Sequence, residues 1–482
     1  MKRALFLVHR YVGLVMGLLM AAWCLSGVVM MYVGYPALAP AQRIAALTPL
    51  SFNDVREIDP AKTSLTGIPI ESFEIEMLKD HPVLRLFDSF GPVAIVDLVT
   101  GGVLTEISAD DSRKIAATFF GLPSEAARNL LVTQLGRDQW TVSGEFDADR
   151  PLFRVERGDP NGTEIYVSSS TGKVVQETTR WQRGWNWVGS VPHWLYFTEL
   201  RRDPGVWTDV IIFTSLLGVF LTVTGLYYGV LQIRLRKSAR WSPYSGLRFW
   251  HHLAGLVFGV LTLAWVGSGF LSVNPWGLLE GRGAGAEAAR LQNLDLVSDD
   301  ALAVVHRLKT TPPDAGIERI TSAPLDGKLY LIEATDKGSR RLDAATLEPA
   351  PLEPEELSRL AARLQPDTPI QSQGMIAAPD AYYFAAHGAP PLPAYRVILR
   401  DPDATRYYLD PMAGRILQKT DGNDRLYRWL FEAVHRWDFS AGLRTRGIWD
   451  AVMLTLMAGV SAVCLTGVYM GFRFLFPRRR RY

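Results

Sequence analysis

The sequence predicts a membrane protein: a four-transmembrane-helix bundle formed by an internal tandem repeat, with two extracytoplasmic α+β domains carried on its long loops. Three observations lead there. Four apolar stretches each supply the about 20 residues that a helix needs to cross a hydrocarbon core of about 30 Å. The chain also repeats itself at an offset of 242 residues. His9, Gly13, Gly17, Trp23, Ser26 and Gly27 return as His251, Gly255, Gly259, Trp265, Ser268 and Gly269. His193, Trp207, Thr224, Gly225 and Tyr227 return as His435, Trp449, Thr466, Gly467 and Tyr469. Finally, the two long connections between apolar stretches mix strand-like, helix-like and turn text.

In chain order the expected organisation is a first helix in 1–33, an α+β domain in 34–206, a second helix in 207–233 and a short cytoplasmic loop in 234–248. A third helix follows in 249–273, a second α+β domain in 274–448, and a fourth helix with a basic tail in 449–482. Lys2, Arg3 and the small residues Ala37-Leu38-Ala39 give the first stretch the look of a signal peptide. It is longer than an h-region of about 7–15 residues, and its repeat partner is internal, so it reads as an uncleaved anchor. Four spans put both termini on one side. Lys2, Arg3, Arg10, Arg234, Arg236, Lys237, Arg240, Arg248 and the arginines 478–481 gather there, which makes that side cytoplasmic. Arg201, Arg202, Arg444 and Arg446 lie opposite but flank long loops, where the charge rule has less weight.

Composition narrows the function classes. A formal net charge of +2 over 482 residues gives no electrostatic reason to expect nucleic acid. The two cysteines, Cys24 and Cys464, sit at non-equivalent positions inside apolar runs, which argues against a disulfide framework or a thiolate metal site. In the first loop, residues 83–87 and 93–96 read as strands around Gly91-Pro92, and 165–167, Thr171-Gly172 and 174–175 as strand–turn–strand. Residues 407–409, 410–414 and 416–417 repeat that unit, with Gly414 in the place of Gly172. Residues 355–364 read as helix and 389–393, rich in proline, as loop. Aligning the loops requires small insertions.

The repeat singles out four of eight histidines. His9 and His251 open spans one and three at the cytoplasmic end; His193 and His435 precede spans two and four at the other. Parallel repeats are related by an axis along the membrane normal, which would face His9 to His251 and His193 to His435. Bundle cores build cofactor sites from side chains on facing helices, and two opposed imidazoles are the axial ligands of a bis-histidine haem. Zinc fits less well: structural sites take four ligands and catalytic ones three plus water, and residues 13–33 and 253–273 contain no Asp or Glu. Two filled axial positions favour electron transfer over oxygen binding. One histidine at a helix end reads as a cap or interfacial residue; four in matched pairs point to ligation of two haems.

Other residues keep two readings. His252, beside His251 and in the place of Arg10, ranks second to His251 as a ligand and otherwise meets a propionate or solvent. His81, His306 and His387 have no repeat partners and read as loop residues. Gly13 and Gly17, with Gly255 and Gly259, either make room for a macrocycle or pack helices as GxxxG motifs. Trp23 and Trp265 either line a path between cofactors or pack, and residue type favours packing. Arg202, Arg436 and Arg444 are either propionate partners or ordinary juxtamembrane arginines.

These residues resemble the PepSY-associated transmembrane family. His9-Arg10-Tyr11-Val12-Gly13-Leu14 is similar to its first-span motif and His251-His252-Leu253-Ala254-Gly255-Leu256 to its third-span version. Leu430-Phe431-Glu432-Ala433-Val434-His435-Arg436 resembles the segment before the fourth span. Thr224-Gly225-Leu226-Tyr227 and Thr466-Gly467-Val468-Tyr469 resemble the ends of spans two and four. Ser170-Thr171-Gly172-Lys173-Val174 and the stretch 410–416 resemble the strand–turn element of the PepSY domain. The resemblance implies an inner-membrane protein with periplasmic PepSY-like domains, and two b-type haems held by His9, His251, His193 and His435. Some members pass electrons to a ferric siderophore and release its iron. No G-x-G-x-x-G dinucleotide fingerprint is present, so the donor would be a quinol or a cytoplasmic reductase. A span from His9 to Tyr32 is about 35 Å long at about 1.5 Å per residue, so one cofactor could not serve both faces. The rival expectations are a haem-free PepSY regulator or peptidase-inhibitory binding protein, and a permease for iron chelates, which the scarcity of interior charges disfavours.

Overall fold

The structure is a computed structural model that describes residues 2–233, 241–385, 389–440 and 442–476. Arg234, Arg236, Lys237, Arg240, the arginines 478–481, His387 and the side chains of Lys2 and Arg3 lie outside the described residues. The chain divides into two compact units. One comprises Met1–Tyr35, Gln182–Gly281 and Asn423–Tyr482; the other comprises Pro36–Trp181 and Arg282–Gly422.

The first unit is built on four helices: α1 (Lys2–Met30), α2 (Pro204–Leu231), α3 (Leu247–Leu271) and α4 (Arg446–Leu475). Each is long and apolar enough to cross a membrane. The start of α2, at Pro204, is set by local chemistry that hydropathy does not register. The Asp203 carboxylate accepts the Val206 N–H at 3.0 Å, and Pro204 occupies the first turn, where no backbone donor is needed. Both α1 and α3 pack against α2 and α4, so the helices close into a ring. Its core joins all four: Met16, Met20, Ala21 and Cys24 of α1, Leu221 of α2, Val266 of α3, and Val460 and Cys464 of α4.

In the second unit, strands from both loops enter one sheet, where the sequence suggests a separate domain in each loop. Strands β1 (Ser72–Leu78), β2 (His81–Asp88), β3 (Gly91–Asp97) and β4 (Val103–Leu104) form an antiparallel run. The first loop continues with β5 (Leu131–Leu135), β6 (Leu152–Glu156), β7 (Glu164–Ser168) and β8 (Val174–Thr178), a four-stranded sheet. The second loop supplies β9 (Arg319–Leu325), β10 (Lys328–Thr335) and β11 (Gly338–Asp343), then a four-stranded sheet of β12 (Ile370–Ile376), β13 (Ala394–Leu399), β14 (Arg406–Leu409) and β15 (Ile416–Thr420). β1 pairs antiparallel with β9, Ile75 opposite Ile320, giving the order β11-β10-β9-β1-β2-β3-β4. An unpaired edge on either meander would expose a row of backbone donors and acceptors, and the β1–β9 pairing covers one edge of each.

Three strands of each four-stranded sheet correspond without insertion: β6, β7 and β8 begin 242 residues before β13, β14 and β15. The side chains correspond too. The Tyr166 hydroxyl donates to Asp138 at 2.7 Å and that of Tyr408 to Asp380 at 2.9 Å. Gly172 and Gly414 take φ values of 69° and 74° at the turns, where a side chain would be strained. The expected helix appears as Pro354–Leu364.

Arg85, 1% exposed, ties the first loop together. Its Nη1 meets Glu74 at 3.2 Å and Glu76 at 2.9 Å, and its Nε donates to the Thr171 carbonyl at 2.7 Å. Arg43 and Lys173 add further cations to Glu76 and Glu74. Burial pushes the Glu76 carboxyl up, but Arg43 and Arg85 outweigh it and hold the group at about 2. We expect Arg85→Met to destabilise the β unit by about 3–5 kcal/mol, because two buried carboxylates lose a partner. A depressed carboxyl gives stability that is complete above its unfolded value of 4.5 and is lost as pH falls towards about 2. Thermal melts of the full chain, followed by circular dichroism across that window, should therefore show a weaker acid limb in Glu76→Gln; an identical limb would contradict this assignment.

Candidate functional site

All four repeat-matched histidines belong to the helical unit. His193 lies in the short helix Ser190–Trp194 and His435 in Val434–Arg436. Each helix stops at a non-glycine residue in the left-handed region, Leu195 (φ 51°) and Trp437 (φ 54°). Bulky residues rarely adopt that conformation, so both sharp exits are held by their surroundings. Beyond them Trp207 donates its indole N–H to the Trp194 carbonyl at 2.8 Å, and Trp449 donates to that of Arg436 at 2.6 Å.

The His193 and His435 rings face each other with centroids 6.0 Å apart and planes at 75°. Metal–imidazole bonds of about 2.0–2.1 Å set two trans nitrogens about 4 Å apart and the ring centres behind them about 6 Å apart. A centroid separation of 6.0 Å leaves room for one metal between two imidazoles, and at 75° it is also that of an edge-to-face ring pair. Burial pushes both groups down, His193 to about 4 and His435 to about 3, where the charges of His193 and Arg436 also act. Both rings are neutral at pH 7, the form that ligates metals. His9 and His251 lie within electrostatic reach of each other.

The hydrogen bonds decide which nitrogen is available. Nδ1 of His193 contacts the Trp23 carbonyl at 3.0 Å and Ser26 Oγ at 3.2 Å. Nδ1 of His435 contacts Ser268 Oγ at 3.0 Å, and the Trp265 backbone acts on the same ring. Nδ1 of His9 contacts the Leu221 carbonyl at 3.1 Å and Thr224 Oγ1 at 3.2 Å, and Nδ1 of His251 contacts Thr466 Oγ1 at 3.0 Å. A carbonyl only accepts, so Nδ1 carries the proton in the neutral ring. The four hydroxyls have already donated to helix carbonyls, as Ser26 does to Ala22 at 2.6 Å and Thr466 to Ala462 at 2.6 Å. Each hydroxyl is thus an acceptor for Nδ1–H, and each Nε2 keeps its lone pair. The contacts recur in step: 215 residues separate His9 from Thr224 and His251 from Thr466, and 167 separate Ser26 from His193 and Ser268 from His435.

Glycines follow these hydroxyls in the sequence and make room for the rings. A Cβ on Gly225 would lie 2.8 Å from His9 Cε1, one on Gly467 3.1 Å from His251 Cε1, and one on Gly27 3.4 Å from His193 Cε1. The Ser-Gly and Thr-Gly dipeptides are visible in the sequence as repeat matches, but their role appears only once they are seen beside the histidines. The GxxxG glycines divide. A Cβ on Gly17 would lie 2.9 Å from Val468 and one on Gly259 2.5 Å from Leu226, so these two serve helix packing, while Gly255 has nothing within 4 Å.

The remaining candidates are committed elsewhere. His252, 6% exposed, uses both nitrogens: Nδ1 meets Ser242 Oγ at 2.8 Å, and Nε2 donates to the Gly229 carbonyl at 2.7 Å. It has no lone pair to offer a metal, and His251 is the ligand candidate of the two. His81 pairs with Asp97 at 2.8 Å, and His306 lies 3.9 Å from Glu57. Arg202 and Arg436 face Glu199 at 2.9 Å and Glu432 at 4.0 Å, and Arg444 pairs with Asp438. Among the described residues no group of three or more His, Cys, Asp or Glu could hold a metal ion.

Histidine-selective ¹⁵N NMR of the cofactor-free protein should show the Nδ1–H tautomer at positions 9, 193, 251 and 435. A protonated Nε2 at His193 or His435 would remove the basis for metal sharing. This chain matches no family model and no curated protein.

Proposed function

We propose that this chain is an inner-membrane di-haem b oxidoreductase, built by tandem repetition of a two-span unit. It would take electrons from a quinol or a cytoplasmic reductase and reduce a ferric chelate of the siderophore class in the periplasm. The observation that carries the reading is the pair His193 and His435, ring centroids 6.0 Å apart, with Nδ1–H bound to α1 and α3 respectively and Nε2 without a hydrogen-bond partner among the described residues. His9 and His251 present the same chemistry at the other end of the bundle.

A haem held by these residues would supply single-electron exchange, and two imidazole ligands would favour electron transfer over oxygen binding. The residues of the chain perform the remaining tasks. His193 and His435 would hold one haem, and His9 and His251 the other. The Trp23 and Leu221 carbonyls and the hydroxyls of Ser26, Thr224, Ser268 and Thr466 fix ring orientation and tautomer, which also strengthens the ligand nitrogen. The apolar core around Met16, Met20, Leu221, Val266 and Val460 keeps water from the space between the two pairs. Basic residues around the His9 and His251 end support placing that end, with both termini, in the cytoplasm. The long loops, PepSY-like in sequence, would then be periplasmic. Reduction weakens the grip of a ferric chelate and releases its iron.

Purified protein should be red, with two haem b per chain and a Soret band that shifts on reduction. His193→Ala or His435→Ala should remove one haem and leave the other, while His252→Ala should keep both. A colourless, folded preparation would favour the haem-free PepSY regulator instead, and two haems retained in His193→Ala would refute the pairing.

A further inference from the structure

Two partly buried indoles remain unused by this account. Trp23 and Trp265 occupy matching places on α1 and α3, and both pack on the core that unites the four helices. The Trp23 carbonyl accepts the Nδ1–H of His193, and the Trp265 backbone acts on the His435 ring. Their indole N–H groups are buried and have no acceptor among the described residues. The other matched tryptophans of the bundle, Trp207 and Trp449, both find one. A buried donor left without a partner destabilises a fold, and a smaller aromatic ring at these positions would not carry that penalty. Packing alone does not explain why both sites hold tryptophan.

Position supplies an explanation. Trp23 lies 14 residues from His9 on α1, about 21 Å along the axis at about 1.5 Å per residue. Helical side chains lean towards the N-terminus, so both indoles lean from the His193/His435 end towards the His9/His251 end. Trp265 also joins the core to the cluster of Met31, Met453 and Met457.

We propose that Trp23 and Trp265 are the electron-tunnelling bridge between the two imidazole pairs, a role that rests on the di-haem reading above. One electron leaves the site at His9 and His251, which is oxidised, and arrives at the site of His193 and His435, which is reduced. The indoles are neither oxidised nor reduced in the exchange. No proton moves, because neither N–H has an acceptor to receive it. The route continues through the Trp23 carbonyl and the Trp265 backbone into the ligand rings.

The test uses the full-length, haem-loaded protein in liposomes. A membrane-impermeant reductant is added outside, and the delay between reduction of the first and second haem is followed by absorbance. Trp23→Leu/Trp265→Leu should keep both haems and their midpoint potentials but slow the second phase at least tenfold, with Trp23→Phe/Trp265→Phe intermediate. The haem-free Phe/Phe protein should melt no lower than the parent, since it loses two unpartnered donors, whereas a packing role would lower its melting temperature. An unchanged second phase in the Leu/Leu protein with both haems in place overturns the bridge and leaves the di-haem reading intact. A parent protein that binds no haem overturns the di-haem reading and the bridge with it.

Discussion

Four hydrogen bonds from histidine Nδ1 to helix oxygens organise the bundle's chemistry. An imidazole in an apolar bundle can rotate, flip or change tautomer, and each change alters what it offers to a neighbour. Here the proton is committed to a hydroxyl or carbonyl, so the ring is fixed about one axis and the lone pair points away from the supporting helix. The arrangement works because an α-helix carries carbonyls whose second lone pair is free and because serine and threonine hydroxyls bond back to the preceding turn. The glycines after Thr224 and Thr466 let the rings of His9 and His251 approach closely enough to make the bond.

That constraint links residues far apart in sequence, and the two ends of the bundle use it differently. At one end the histidines lie on spanning helices and are held by the far ends of α2 and α4. At the other they lie on short helices outside the spans and are held by the far ends of α1 and α3. Every spanning helix therefore supplies either a ligand candidate, a support or both. Distortion of one helix would disturb a ring at a site to which that helix contributes no histidine.

Much of this was legible in the sequence. The four spans, the histidine quartet and the strand–turn–strand elements follow from hydropathy, periodicity and the offset of 242. What was not legible depends on juxtaposition. Nothing in the text near Ser26 says that its hydroxyl meets His193, because the bond joins elements 167 residues apart. His251 and His252 are adjacent in the sequence and equivalent in type; only the partners at Ser242 and Gly229 separate a ring with a free lone pair from one without. The shared sheet was hidden for a similar reason, since the edge of β1 finds its partner in the other loop.

The sheet and the histidine supports together bear on what one half of the chain could do alone. Each half of the sequence contains both of its own histidines and both hydroxyls that orient them, so a half-length chain could aim its rings unaided. It would have no equivalent ring opposite its own, and its first meander would end in an open strand edge, the edge that β9 of the second half covers here.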